Sequence, residues 1–135
     1  MARVMIVENI EKPLWMAKKL LSAINYEIIF ETGNGYEAIE KYDLIKPDLI
    51  LLDLDPSKNT GLNIIQEIKK KNSESRIIAL TRNSNPEVIQ RCIDYGALQC
   101  ITIPINMKDF VSILSGIENF SETKSEVSPL IIEES

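Results

Sequence analysis

Residues 48–53, Asp-Leu-Ile-Leu-Leu-Asp, form an apolar run closed by an acid at each end. A strand with one face in water alternates apolar and polar residues. This run does not, so both of its faces need cover, which makes it a central strand of a parallel sheet. Four other runs, Arg3–Val7, Glu27–Glu31, Arg76–Thr81 and Gln99–Ile103, read as further strands.

Helix-period segments separate them. In 13–24, Leu14, Ala17, Leu21 and Ile24 fall at helical spacing and Pro13 suits a first turn. After a turn at Gly33-Asn34-Gly35, residues Ala38, Ile39, Tyr42 and Ile45 mark a second helix that ends before Pro47. A polar loop, 54–60, carries Pro56. Gly61–Lys71 puts Leu62, Ile65 and Ile68 on one stripe, with Lys69–Lys71 at the end where cations favour the helix dipole. A fourth helix spans Pro86–Tyr95 and stops at Gly96; a fifth follows Pro104 to about Asn119, with Phe110, Ile113, Leu114 and Ile117 inward.

Five strand–helix units predict an α/β fold: a flavodoxin-like, doubly wound five-stranded parallel sheet in order 2-1-3-4-5, flanked by five helices. Residues 1–119 make one domain, and 120–135 read as an acidic C-terminal tail or the start of a linker.

Composition narrows the function. Net charge is −5 and no basic run exceeds Lys69–Lys71, which argues against nucleic-acid binding by this domain. Cys92 and Cys100 are too few for a disulfide framework and read as buried or half-buried thiols of a reducing cytoplasm. No stretch approaches the roughly 20 apolar residues of a membrane span, and the N-terminus reaches Glu8 without the apolar core of a signal peptide. A cytoplasmic protein is expected. The sequence has no histidine, which removes histidine metal sites, Ser-His and Cys-His pairs, and a phosphohistidine role.

In an open parallel sheet, ligands bind beyond the carboxyl ends of the strands. Here those ends carry Glu8 and Asn9, Asp53, Thr81 and Arg82, and Ile103 and Pro104. Two converging acids repel each other unless a cation lies between them, so a divalent metal site around Asp53 is expected. Either acid alone reads more readily as a solvated loop cap; their combination with Thr81 reverses that.

These residues are where a family resemblance appears. Val-Met-Ile-Val-Glu-Asn (4–9), Gly-Tyr-Glu-Ala-Ile (35–39), Pro-Asp-Leu-Ile-Leu-Leu-Asp (47–53), Gly61, Ile-Ile-Ala-Leu-Thr (77–81), Gly96-Ala97 and Ile103-Pro104 together resemble the receiver domain of two-component response regulators, over residues 2–118. The resemblance implies that Asp53 is the phosphoacceptor, Thr81 senses the phosphoryl group, and Mg²⁺ is held by Glu8, Asn9, Asp53 and the backbone carbonyl of Asp55. It also implies no enzymatic activity beyond slow self-phosphorylation and dephosphorylation at Asp53.

Several positions depart from the family pattern. Asn9 stands where an acid usually binds the metal and Glu8 is one methylene longer than Asp, so Mg²⁺ binding is expected to be weakened. Ile103 replaces the family's lysine before proline. A charge-assisted hydrogen bond of about 1.5–3 kcal/mol is lost there, a cost of about 10- to 100-fold. Cys100 replaces the switch aromatic, and Arg82 replaces a small residue. Three fates are open to Arg82: standing in for the lysine, pairing with Asp53 or Glu8 and occluding the site, or lying in solvent.

Two functional readings follow. One is an atypical receiver that acts through protein–protein interaction with weak or no phosphorylation of Asp53. The other is a working phosphoacceptor, charged at Asp53 with Mg²⁺ by a histidine kinase. Partners implied by the resemblance are a histidine kinase or other signalling protein, and an output domain or second copy on the face of the fourth helix, fifth strand and fifth helix. Gln90, Arg91, Asp94, Tyr95, Gln99 and Ile101 are the expected positions on that face. Trp15 is expected to cover the sheet edge or, with Met16, to form a second docking patch.

Overall fold

The computed structural model describes residues 2–8, 14–54 and 60–122, with backbone alone at Thr60 and 118–122. The elements run β1 (Arg3–Val7), α1 (Trp15–Ala23), β2 (Glu27–Thr32), α2 (Gly35–Ile45), β3 (Leu49–Asp53), α3 (Thr60–Lys71), β4 (Ile77–Thr81), α4 (Pro86–Tyr95), β5 (Gln99–Thr102) and α5 (Met107–Glu122). All strand pairs are parallel, in the order β2-β1-β3-β4-β5. The expected flavodoxin-like sheet is therefore present, with five helices. The last helix runs three residues past the expected domain end at 119. Pro13, Asn9, Asp55 and Pro56 lie outside the described residues.

β3 earns its central place. Leu49, Ile50, Leu51 and Leu52 are all buried, between β1 and β4. Because side chains alternate along a strand, Ile50 and Leu52 face one side and Leu49 and Leu51 the other. Met5, Val7, Ile50, Leu52, Ile77 and Ala79 meet Ala38 and Tyr42 of α2, Ile64, Ile65 and Ile68 of α3 and Cys92 of α4 in one core. Burying each large aliphatic side chain there contributes about 1.5–3 kcal/mol. The chain steps from β1 to β2 in the direction opposite to its later steps, so a uniform crossover hand puts α1 on the other face.

The two acids that bracket β3 have different jobs. Asp48 accepts the Arg3 backbone N–H at 2.8 Å and fixes the start of β1, while Arg3 donates its guanidinium to the Ile45 and Lys46 carbonyls that end α2. Asp53 is left at the opposite, functional end.

Local chemistry sets the helix ends. Asn34 caps α2, its Oδ1 accepting from Tyr36 and Glu37 N–H, and Asn85 caps α4 ahead of Pro86. A side chain at Gly35 would run into Ile64, and one at Gly61 into Leu54, so both glycines let elements close up. Gly96 ends α4 at φ +121°, a region that favours glycine.

The chain divides into two compact units, the first through Ile103 and the second from Pro104. In the second, Asn106 and Asp109 cap α5 reciprocally: Asn106 Oδ1 accepts the Asp109 N–H, and Asn106 Nδ2 donates to Asp109 Oδ2. Among the described residues no helix is long and apolar enough to cross a membrane.

Candidate functional site

Sheet register brings the strand-end residues of the first unit to one edge. Val7 pairs with Leu52, so Glu8 and Asp53 follow side by side on adjacent strands. Asp53 pairs with Leu80, which puts Thr81 and Arg82 just beyond, and Thr81 pairs with Thr102. The Ile103 N–H donates to the Thr81 carbonyl at 2.8 Å. The last residue of β3 therefore lies at one level with the residues that close β1, β4 and β5.

Asp53 is nearly buried, its side chain 4% exposed. Arg82 Nη1 lies 3.4 Å from Asp53 Oδ1, with the arginine side chain 47% exposed. A guanidinium thus roofs the carboxylate from the solvent side and balances its charge. Of the three fates open to Arg82, the geometry is the pairing with Asp53.

Thr81 is fully buried. Its Oγ1 accepts the Asn83 N–H at 3.0 Å and donates weakly to the Asn83 carbonyl at 3.5 Å, a local turn that employs the hydroxyl within its own loop. At the lysine position, half-buried Ile103 supplies no donor beyond its backbone N–H. Cys100, half-buried, hydrogen-bonds to the buried thiol of Cys92. That contact and burial hold the Cys100 thiol protonated, far above the ordinary cysteine range. β5 thus has a fixed small side chain where a mobile ring was the family pattern.

Glu8 is buried, and its partners were not expected from the sequence. Glu8 Oε1 accepts the Leu14 N–H at 2.9 Å, at the start of α1, where no side chain of α1 itself caps the helix. A carboxylate there meets the positive end of the helix dipole. The same Oε1 lies 3.4 Å from Lys18 Nζ, which donates to Glu31 Oε1 at 2.8 Å and sits 4.8 Å from the Trp15 ring centroid. Hydrogen bonding to Glu31 raises the Lys18 pKa above its ordinary value and lowers that of Glu31. Lys18 and Glu31 become visible from sequence only through the strand order, since β2 ends beside β1 and brings Glu31 to Glu8.

The two expected donors that lie among the described residues, Glu8 and Asp53, do not form a preformed Mg²⁺ site. Mg²⁺ asks for near-octahedral oxygens with carboxylate charge, yet Glu8 and Asp53 are each already paired with a cation of the chain. Among the described residues no group of three or more acidic, cysteine or histidine side chains is placed to hold a metal. Asn9 and Asp55, expected to complete the site, lie outside the described residues.

Two expectations for surfaces need correction. Trp15 does not cover the sheet edge; it is 70% exposed, because Leu20 and Leu21 take the inward positions of α1. Ile101 is buried and so is not offered to a partner, whereas Gln90, Arg91, Asp94 and Gln99 are exposed.

A family model described as the response regulator receiver domain matches residues 4–115. Chemotaxis protein CheY of Thermotoga maritima is 30% identical over 115 residues, 85% of this chain and 96% of that protein. The transcriptional regulatory protein PdtaR of Mycobacterium tuberculosis is 30% identical over 89% of this chain, which spans 58% of that regulator's length. In fold, the chain resembles one in the crystal structure of the CheX–CheY–BeF3–Mg²⁺ complex of Borrelia burgdorferi, with TM-score 0.77 at 19% identity over 86% of this chain and 88% of that one. The isolated receiver domain of RcsB from Salmonella enterica superposes with TM-score 0.75 at 20% identity, over 87% and 88%. Strand order, strand-end residues and matched length agree, and the chain belongs to the response regulator receiver domain family.

Proposed function

We propose that this two-component receiver domain is atypical: it signals through protein–protein contacts, with weak or no phosphorylation of Asp53. The observation that carries the reading is the Arg82 guanidinium 3.4 Å from Asp53 Oδ1. An incoming phosphoryl group brings negative charge and needs a cation, and here the cation already neutralises the nucleophile. Ile103 supplies no replacement ammonium, and the fit to Mg²⁺ is poor, so any metal site built from Glu8, Asn9, Asp53 and the Asp55 carbonyl is weak.

The module is a signalling part rather than an enzyme, acting in the cytoplasm. Its partners are a histidine kinase or other signalling protein, and an output domain or second copy. Exposed Gln90, Arg91, Asp94 and Gln99 on α4 and β5 support that contact surface. The Thermotoga and Mycobacterium relatives carry names of chemotaxis and transcriptional regulators, which fits a signalling role for this chain.

The second reading, a phosphoacceptor charged at Asp53 with Mg²⁺ by a histidine kinase, is favoured by one observation. Asp53 and Thr81 stand at the carboxyl ends of adjacent strands, as that chemistry requires.

Addition of beryllium fluoride with Mg²⁺ tests the choice through amide spectra. The proposed reading expects spectra of the parent that do not move, with Asp53→Asn behaving alike. Saturable shifts around Asp53 and Thr81, lost in Asp53→Asn, would establish the phosphoacceptor instead.

A further inference from the structure

Lys18 stands out once the site is assembled. It is half-buried, its side chain 19% exposed, and three groups surround its ammonium: Glu31 at 2.8 Å, Glu8 at 3.4 Å and the Trp15 ring face at 4.8 Å from the centroid. A lysine that merely decorated α1 would keep its head in water. This one turns it toward two carboxylates at the carboxyl ends of β1 and β2. Glu8 Oε1 is engaged twice over, since the Leu14 N–H donates to it as well.

From this geometry we infer that the Lys18 ammonium does at Glu8 the charge-balancing work of a divalent cation, and thereby excludes one. The inference rests on the atypical-receiver reading and deepens it, by giving the poor fit to Mg²⁺ a specific cause. Any cation coordinated by the Glu8 carboxylate would sit within a few ångströms of Nζ. It would have to drive out the ammonium or bear its repulsion beside Glu8, a carboxylate withdrawn from water. A metal on Oε1 would also compete with the Leu14 N–H for that oxygen.

Lys18 and Arg82 thus divide the pocket between them. Arg82 is half-exposed and reaches Asp53 from outside, so it can swing away. Lys18 is held on three sides and cannot leave without breaking all three contacts. Of the two internal cations, Lys18 is the one that sets metal affinity.

The test is a titration of the full chain with Mg²⁺ alone, and separately with Mn²⁺, without any phosphodonor. Trp15, the single tryptophan, reports the site by fluorescence because it packs on the Lys18 ammonium; amide shifts, and Mn²⁺ line broadening at the end of β1, give an independent reading. Lys18→Met is expected to tighten the metal midpoint by about tenfold or more, the scale of removing one like charge a few ångströms away. Lys18→Arg keeps the charge and is expected to stay with the parent. Glu31→Gln, which breaks the neighbouring pair but keeps the ammonium, is also expected not to gain affinity. Thermal unfolding checks that each variant is folded.

An unchanged midpoint in Lys18→Met would overturn the inference, and so would an equal gain in Glu31→Gln or Lys18→Arg. If Lys18→Met does not fold, Lys18→Gln takes its place with the same expectation. None of these outcomes touches Asp53 chemistry, so the atypical-receiver reading stands or falls separately, on the beryllium fluoride result.

Discussion

Arg82 Nη1 lies 3.4 Å from Asp53 Oδ1, joining the residue after β4 to the last residue of β3 across two adjacent strands. The carboxylate is nearly buried and the guanidinium half-exposed. An isolated buried carboxylate is costly, whereas a partly exposed pair is worth modest energy. A double-mutant cycle with Arg82→Ala and Asp53→Asn should therefore give a coupling of about 0.2–1 kcal/mol in chemical unfolding. Strict additivity would mean that the pair does not form in solution.

Ile103→Lys restores an ammonium beside Thr81, at a position held by the Ile103 N–H bond to the Thr81 carbonyl. Labelling of Asp53 by a small phosphodonor should rise by about 10- to 100-fold over the parent, the converse of losing one charge-assisted hydrogen bond. Quantified phosphorylation on gels that retain acyl phosphates would show it. No gain would mean that the barrier lies elsewhere than in the missing lysine.

Gly96 combines φ +121° with a close neighbour: an added Cβ would lie 2.8 Å from Lys69 Cγ. Gly96→Ala should cost about 1–3 kcal/mol, mostly from backbone strain, since the lysine stem can give way. Urea unfolding of the two proteins decides it, and equal midpoints would contradict this account of the α4 end.

Lys69 also provides a pH dependence. Its Nζ donates to the Ser73 and Ser75 carbonyls, but burial pushes its pKa below the ordinary 10.5. The folded protein thus releases this proton before the unfolded chain does. In the window just under pH 10.5 the unfolded state binds more protons, so stability gains a contribution that rises with pH. At lower pH both states are charged and the burial penalty is present in full. Lys69→Met lacks this contribution, so the parent's stability relative to Lys69→Met should rise as pH climbs toward 10.5. A flat difference in urea midpoints would show that Lys69 is solvated.

The fold was legible because hydrophobic period carries it. The unbroken apolar stretch of Leu49–Leu52 announces a strand covered on both faces, and Leu62, Ile65 and Ile68 announce the buried stripe of α3; all are buried. Strand-end positions are equally readable, which is how Asp53, Thr81 and Arg82 came together. Lys18 and Glu31 were not readable. Their meeting with Glu8 depends on β2 lying beside β1 and on α1 turning a side chain back over the strand ends, and neither leaves a periodic trace. Trp15 misled for a related reason: a large aromatic is usually buried, but Leu20 and Leu21 already fill the inward face of α1. Ile101 was placed on a partner-facing surface by the family resemblance, and the structure buries it.

The central claim, that Asp53 is charge-balanced internally and little used as a phosphoacceptor, is tested most directly by intact-mass measurement after incubation with acetyl phosphate and Mg²⁺. The account predicts no stable adduct on the parent above the background of Asp53→Asn. A stoichiometric gain of one phosphoryl group on the parent, absent in Asp53→Asn, would contradict it.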